Sequence, residues 1–517
     1  MNHNELDLLL GQMFIFGFHG RELGAEIIEE YPNYPVGGII LFRRNVESIP
    51  QVQRLTQDLK EMGASVRPDS PLLIAVDQEG GNLSPLRGLV TSLPGNMGLA
   101  ATGEPSAAYF GGWTTGNDLR SLGVNLSLTP VLDLALYSNP VVSTRAFSDK
   151  PEVVAAFGRE YAKGLLASGI LFTAKHFPGH GSCTEDSHIV MPVCKEPAET
   201  LIHRDVVPFL ELMKVEASSL MMAHVKYLNL DPENPASLSP RIINGFLREQ
   251  LGYKGVILTD CMEMNAIQEF APYPEDAVKA IEAGVDIVII SHTPEHQKAS
   301  YQAARNAVKS GRIKISRIEE SVARINEWKK YIGKVNSQSN SSFWSVKTLA
   351  ERVITLHDDC RHWQFDTQPL ILITPEMGSA TFAEDFTKID RLETELREMA
   401  VACARYNCSE NPSDIETEGL IQRINSLGIP KVAFVVSNIL DSPGQIRLIE
   451  KLAETKQVLL ISTRDPRELV NFGVEYPKIF IYSTEVSVLK ALAAVISGKI
   501  KAQGIMPISF HSHYTVN

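Results

Sequence analysis

Short, almost wholly apolar runs alternate with longer amphipathic stretches along most of this chain. From residue 36 to about 330 the runs are GGIILF, LLIAVD, NLSLTP, FTAKHF, SLMMAHV, GVILTD and DIVIIS. Segments this apolar predict strands buried on both faces, as in a parallel sheet covered by helices. Polar residues gather at the same end of each run: Arg43, Asp77, Asp133, Lys175 with His176, His224, Asp260 and Ser291. Functional groups at the C-terminal ends of many strands predict an α/β fold of the (β/α)8 TIM-barrel type, whose site is assembled there. A doubly wound open sheet, the alternative, would concentrate its site at one switch point.

The N-terminal MNHNELDLLLGQMFIFGF has leucines and aromatics at helical spacing, without a basic leader segment or a small-residue cleavage site. It predicts a first amphipathic helix rather than a signal peptide. The last barrel helix is read in SRIEESVARINEWKKYIG, with Ser316 as its cap. The polar, serine-rich GKVNSQSNSSFWS then reads as a linker. Alternation resumes after Pro369, with strands LILIT, VAFVVS, QVLLIS and KIFIYS and helices around 382–399, 418–427, 445–454 and 486–496. The predicted organisation is a catalytic barrel over 1–335, a linker and connecting helix over 336–367, and a three-layer α/β sandwich domain over 368–517. The second domain has no glycine-rich phosphate loop and no cluster of Asp and His, so no chemistry is assigned to it.

Composition narrows the function. The formal net charge is −12, which argues against nucleic acid or an anionic membrane surface as partner. No apolar run is long enough to cross a bilayer. The cysteines at 183, 194, 261, 360, 403 and 408 form no C-x-x-C pair. They read as free thiols of a reducing compartment, and the cytoplasm is the expected location.

The chemistry is densest from Phe172 to Pro192, FTAKHFPGHGSCTEDSHIVMP. A strand gives way to a glycine-punctuated loop bearing Lys175, His176, His180, Glu185, Asp186 and His188. Asp186 stands two residues before His188, so in a turn its carboxylate can accept a bond from the ring N–H and fix the tautomer. That arrangement makes a positioned general acid and base. The plainer reading is a solvated loop with incidental histidines, and it suits a lone D-x-H better than this cluster. The spacing H-x3-H-x7-H, with no helical register and no paired thiolates, is a poor zinc signature. Asp260 ends an apolar strand where a helix is expected to begin. It can be an N-cap or a rigidly held nucleophile towards an anomeric carbon. Asp77, followed by Gly80 and Gly81, suits the binding of neutral hydroxyls.

With these residues in hand, the chain resembles family 3 glycoside hydrolases of the β-N-acetylhexosaminidase branch, in their two-domain form. The resemblance runs through DQEGG (77–81), PVLD (130–133), NPVVSTRAF (139–147), KHFPGHG (175–181), DSH (186–188), AHV (223–225) and TDCMEMNAI (259–267). A closing G-x5-G-x2-P at Gly498, Gly504 and Pro507 is similar to the second domain of such enzymes. The resemblance implies Asp260 as nucleophile, His188 as general acid/base and Asp186 as its dyad partner. It implies Asp77, Arg145, Lys175, His176, Met264 and His224 around the sugar, and neither metal nor organic cofactor.

The expected activity is retaining exo-hydrolysis of terminal β-N-acetylglucosamine from peptidoglycan fragments or similar oligosaccharides. A phosphorylase using the same site, a β-glucosidase or β-xylosidase, and a silent sugar-binding protein are the alternatives. The chain departs from the family's D-Q-E-G-G-R-V-x-R by Asn82 and Pro85 at the arginine positions. Arg87 and Arg145 are the arginines expected to compensate. Ser182, Cys183, Cys261 and Met262 are further departures, which bear on substrate more than on chemistry.

Overall fold

A computed structural model describes residues 3–509 apart from 138–140, 184, 186, 188, 337–342, 358–362, 377–388, 470, 471 and 473–475. The first half of the chain contributes β1 (Phe14–Phe16), β2 (Gly38–Leu41), β3 (Leu73–Val76), β4 (Leu126–Ser127), β5 (Leu171–Phe172) and β6 (Ala174–Phe177). It continues with β7 (Val193–Cys194), β8 (Ser219–Met222), β9 (Lys226–Tyr227), β10 (Val256–Cys261) and β11 (Ile287–Ile290). Nine of them form one sheet in the order β5-β4-β3-β2-β1-β11-β10-β8-β6. Its two ends, β5 and β6, are halves of one strand interrupted at Thr173, so the sheet closes on itself as eight parallel staves. This is the (β/α)8 barrel that the apolar runs predict.

Why these segments form strands follows from their burial. β2, β3, β8 and β11 are buried at every position and, apart from the hydrogen-bonded Ser219, carry apolar residues or glycine, as strands covered on both faces require. The covering helices carry one apolar stripe each. In Ile49–Val66 the Ser48 hydroxyl accepts from the Gln51 N–H, Pro50 occupies the first turn, and Val52, Leu55, Leu59 and Met62 face the barrel.

Several elements differ from the sequence expectations. The N-terminal stretch is a helix only over His3–Gly11; Phe14–Phe16 is a barrel strand between β2 and β11. The last barrel helix spans Ile315–Lys329 with Lys314 at its cap, two residues earlier than the predicted Ser316. Part of the serine-rich linker lies outside the described residues.

The second half builds a six-stranded sheet from β12 (Thr355–Leu356), β13 (Leu370–Pro375), β14 (Cys403–Cys408), β15 (Lys431–Val436), β16 (Gln457–Ser462) and β17 (Lys478–Phe480). Its order is β12-β17-β16-β15-β13-β14, parallel except for the edge strand β12. Helices at Arg391–Glu398, Asp414–Ser426, Pro443–Ala453 and Val486–Ile496 cover it. The apolar core of this domain continues onto the barrel, where Met97, Ala101, Ala135, Val142 and Ala146 join it. Arg467 donates to the carbonyl of Ala135 at 2.8 Å, and the Ile505 N–H to that of Ala101 at 2.8 Å. The second domain therefore rests on the loops after β3 and β4, beside the mouth of the barrel.

Candidate active site

The C-terminal mouth of the barrel holds a cavity of about 760 Å³, within the roughly 300–1,000 Å³ usual for small-molecule sites. Asp77, Arg145, Lys175, His176, His180, Asp260 and Met264 line it, together with Arg43, Arg44, Pro85, Cys261, Glu263 and His292. The register slips twice in the sheet, between Ala174 and Phe177 against β8 and between Leu258 and Cys261 against β11. Lys175, His176 and Asp260 lie within those two slips. Such irregularities re-aim side chains that a regular pleat would send into the core or the helix layer.

Lys175 Nζ lies 2.5 Å from Asp77 Oδ1 and 2.7 Å from Glu79 Oε1. Glu79 also takes Arg145 bidentately, Nε and Nη2 each at 2.8 Å. Burial works against the charge on Glu79, but Arg145 and Lys175 outweigh it and hold its pKa down at about 2. Burial likewise disfavours the Lys175 cation, and Asp77 and Glu79 raise its pKa nonetheless. Glu79 was absent from the sequence-predicted site. The signal was present: two cations facing a barrel interior with one carboxylate between them require a further buried anion.

A second network runs through Asp133. Its Oδ2 lies 2.6 Å from His176 Nδ1, and its Oδ1 accepts from the backbone N–H groups of His176 at 3.2 Å and His180 at 2.7 Å. An Nδ1–H held by a carboxylate leaves His176 Nε2 facing the cavity, 3.8 Å from Asp260 Oδ2. His180 is buried, and burial brings its pKa down to about 4, so it is uncharged at neutral pH.

Asp260 closes the arrangement. Its Oδ1 accepts from the Cys261 N–H at 2.7 Å, and its side chain remains 24 % exposed towards the cavity. Burial would raise its pKa; His176, His224, the Cys261 N–H and Lys175 overcome that and lower it to about 2. The helix that follows is capped by Met264, not by Asp260, so the capping role weighed for this aspartate does not apply.

The remaining predicted residues divide. Met264 is on the cavity wall. His224 is not: it is buried behind the wall, Nδ1 at 2.8 Å from Ser237 Oγ and Nε2 at 2.9 Å from the Cys261 carbonyl. It supports the strand end that carries Asp260. Asp186 and His188 lie outside the described residues; Ser187 between them lines the cavity. Asn82 is buried away from the cavity and Pro85 is on its wall. Arg87 is turned outward onto Glu485 of the second domain, so it does not replace an arginine at Pro85. The guanidinium groups that line the cavity besides Arg145 are Arg43 and Arg44. Arg44 is tied to the carbonyls of Phe18 and Ser291 and to His292. Arg43 makes one 3.3 Å bond, to the carbonyl of Arg87, among the described residues.

Cys261, Glu263 and His292 stand close enough to share a metal ion. Glu263 already accepts the N–H groups of Ser291, His292 and Thr293 at 2.6–2.8 Å, and Arg44 bonds the His292 ring at 3.0 Å. A guanidinium inside the group repels a dication and saturates a ligand, so these residues suit the arginine better than a metal.

A barrel mouth that presents an ionised aspartate beside buried acids, a lysine and histidines fits sugar chemistry, and comparison with known proteins agrees. Residues 5–327 match the model of the glycosyl hydrolase family 3 N terminal domain. The chain belongs to glycosyl hydrolase family 3. Within family 3 it is similar to the beta-hexosaminidase of Xylella fastidiosa (strain 9a5c), 38 % identical over 286 residues that cover 54 % of this chain and 83 % of that one. Beta-hexosaminidase A of Pseudoalteromonas piscicida is 27 % identical over 551 residues, covering 94 % and 91 %. Among solved structures, the family 3 β-N-acetylglucosaminidase from Paenibacillus sp. str. FPU-7 superposes with a TM-score of 0.89 at 34 % identity, covering 98 % of this chain and 99 % of that one. This family 3 chain is thus an enzyme of the β-hexosaminidase branch with the two-domain architecture. Among the described residues no helix is long and apolar enough to cross a membrane.

Proposed function

We propose that the enzyme is a retaining exo-β-N-acetylglucosaminidase acting on peptidoglycan fragments or related oligosaccharides. The observation that carries this reading is Asp260: one oxygen is fixed by the Cys261 N–H, and the carboxylate stays ionised far below neutral pH at the wall of a sugar-sized cavity. An anion so held is a nucleophile in place. Its carboxylate attacks the anomeric carbon while His188, oriented by Asp186, protonates the departing glycosidic oxygen. The glycosidic C–O bond breaks as the bond to Asp260 forms. His188, now neutral, takes a proton from water, whose oxygen displaces Asp260 and returns the sugar with its original configuration. Asp77, Lys175 and His176 hold the sugar hydroxyls, Arg145 and Glu79 keep that set charged and rigid, and Met264 supplies an apolar wall.

The test is trapping. A fluorinated N-acetylglucosaminide with a good leaving group accumulates the glycosyl-enzyme, and peptide mass spectrometry should place the label on Asp260. A label on another carboxylate overturns the assignment.

Phosphorolysis is the second reading, favoured by Arg43 and Arg44 on the cavity wall, which suit an anionic acceptor. Product analysis with and without phosphate separates the two. The sugar 1-phosphate identifies a phosphorylase, and free N-acetylglucosamine under both conditions identifies a hydrolase.

A further inference from the structure

Glu485 stands immediately before the helix Val486–Ile496 of the second domain and is buried. Its Oε1 accepts from Arg87 Nε at 3.0 Å and its Oε2 from the Ser92 hydroxyl at 2.6 Å. Arg87 in turn donates from Nη2 to the carbonyl of Gly81 at 2.5 Å. The Ser487 hydroxyl adds a bond to the carbonyl of Ser92 at 2.9 Å. All these barrel groups belong to one segment, 77–95, which leaves β3 carrying Asp77 and Glu79.

Inside that segment the turn is tight. The Gly81 N–H donates to the Leu93 carbonyl at 3.0 Å, and a Cβ on Gly95 would come within 3.0 Å of the Gly81 Cα. Gly81 and Gly95 both have positive φ, at 58° and 79°, a conformation costly for other residues. The turn thus has two faces. One presents Glu79 to Lys175 and Arg145; the other is closed by a carboxylate from a domain some four hundred residues further along the chain.

We propose that Glu485 is a positioning residue for the sugar site: the second domain uses it to hold the Asp77–Gly81 turn in register with Lys175 and Arg145. Other contacts attach the domain without touching this turn, among them Arg467 on the Ala135 carbonyl and the Arg352–Glu104 ion pair. Glu485 differs because both its barrel partners lie on the segment that bears Asp77, on the cavity wall, and Glu79, which pairs with Lys175 and Arg145 behind it. A buried carboxylate–guanidinium pair also loses much when one member goes, since the other is left uncompensated. The turn then loses its outer brace, and Asp77 and Glu79 wander relative to Lys175. The effect on turnover rests on the proposed glycosidase reading; the effect on the turn does not.

The experiment is Glu485→Gln in the full chain, read by amide exchange over 77–95 without substrate and by steady-state kinetics on an aryl β-N-acetylglucosaminide. Exchange in that segment should quicken by roughly tenfold, the mark of a locally loosened element. KM should rise by about tenfold with kcat changed less than about threefold, the pattern of lost positioning in binding. Arg87→Gln should match it, and the double variant should be no worse than either single change. Arg352→Ala, an interface change remote from the turn, should leave exchange over 77–95 and KM as in the wild type. If Glu485→Gln fails to fold, Ser92→Ala removes one of the two bonds and should give a smaller shift of the same sign. Unchanged exchange over 77–95 in these variants overturns the inference, even where the melting temperature falls. Absence of turnover by the wild-type enzyme would count against the glycosidase reading alone.

Discussion

Glu79 and Lys175 meet at 2.7 Å with side chains 2 % and 3 % exposed, and the same carboxylate also receives Arg145 in a two-point contact. One acid therefore fixes two cations from different parts of the barrel, Lys175 on β6 and Arg145 on the loop after β4. Removing its charge by Glu79→Gln strands both in a poorly solvated place, at a cost of about 3–5 kcal/mol. The pH dependence has a defined sign. Glu79 moves from 4.5 to about 2 on folding, so its contribution is complete above about pH 4.5 and is lost as pH falls towards 2. Denaturant titrations at pH 7, 4.5 and 3 should show that acid loss in the wild type and a flatter dependence in Glu79→Gln. Equal acid slopes would remove Glu79 from this role.

Asp260→Asn keeps the shape of the strand end and deletes its charge. Turnover should drop by roughly 10³-fold or more, the scale for losing a group that acts in the transition state. Azide should partly restore turnover by attacking the anomeric carbon directly, giving the glycosyl azide of opposite configuration. Since the Asp260 pKa lies near 2, the acid limb of kcat/KM in the wild type belongs to another group. An azide product of retained configuration would exclude Asp260 as the nucleophile.

Asp186 and His188 are tested through the leaving group. His188→Ala should slow glycosides with poor leaving groups far more than activated aryl glycosides, which need little protonation. Asp186→Asn should act in the same direction and more mildly, because the imidazole persists without its orienting partner. A leaving-group series that falls in parallel for wild type and His188→Ala would show that His188 is not the acid.

Recognition of the sugar should be loose. Asn82 lies off the cavity and Pro85 has no side-chain donor, so Arg43 is the guanidinium with donors to spare on that wall. The wild type should bind simple aryl N-acetylglucosaminides weakly and accept β-glucosides or β-xylosides to a measurable degree. Arg43→Ala should raise KM a further fivefold to tenfold, about 1–1.4 kcal/mol of lost binding. Strict N-acetylglucosaminide preference with micromolar KM, unchanged in Arg43→Ala, would show that this wall needs no arginine.

Much of the fold was legible because buried parallel strands must be apolar throughout, and polar residues at their ends mark the mouth. The exceptions have physical causes. Phe14–Phe16 was hidden because it continues the helical spacing of the leucines before it. Cys403–Cys408, CARYNC, is half polar because β14 is an edge strand with one partner. In the site, Asp77, Lys175, His176 and Asp260 were readable from their strand ends. Glu79 could have been inferred from the charge balance around Lys175 and Arg145, whereas the hold of Asp133 on the His176 ring shows only in the distances. His224 has the same place in sequence as His176, yet its ring nitrogens are taken up behind the wall. The outward turn of Arg87 could not be read at all, since its partner Glu485 is 398 residues away.

The five barrel side chains that complete the second domain's core have a consequence for the family's history. Met97, Ala101, Ala135, Val142 and Ala146 are all at most 2 % exposed, and each owes part of that cover to a neighbour it does not share a barrel with. A barrel that lived alone would lose that cover and expose apolar surface, an invitation to self-association. Selection on a solitary barrel should therefore replace them with polar side chains, and gaining a second domain should reverse the change. The composition at these five positions is then a written trace of whether a given barrel evolved with company.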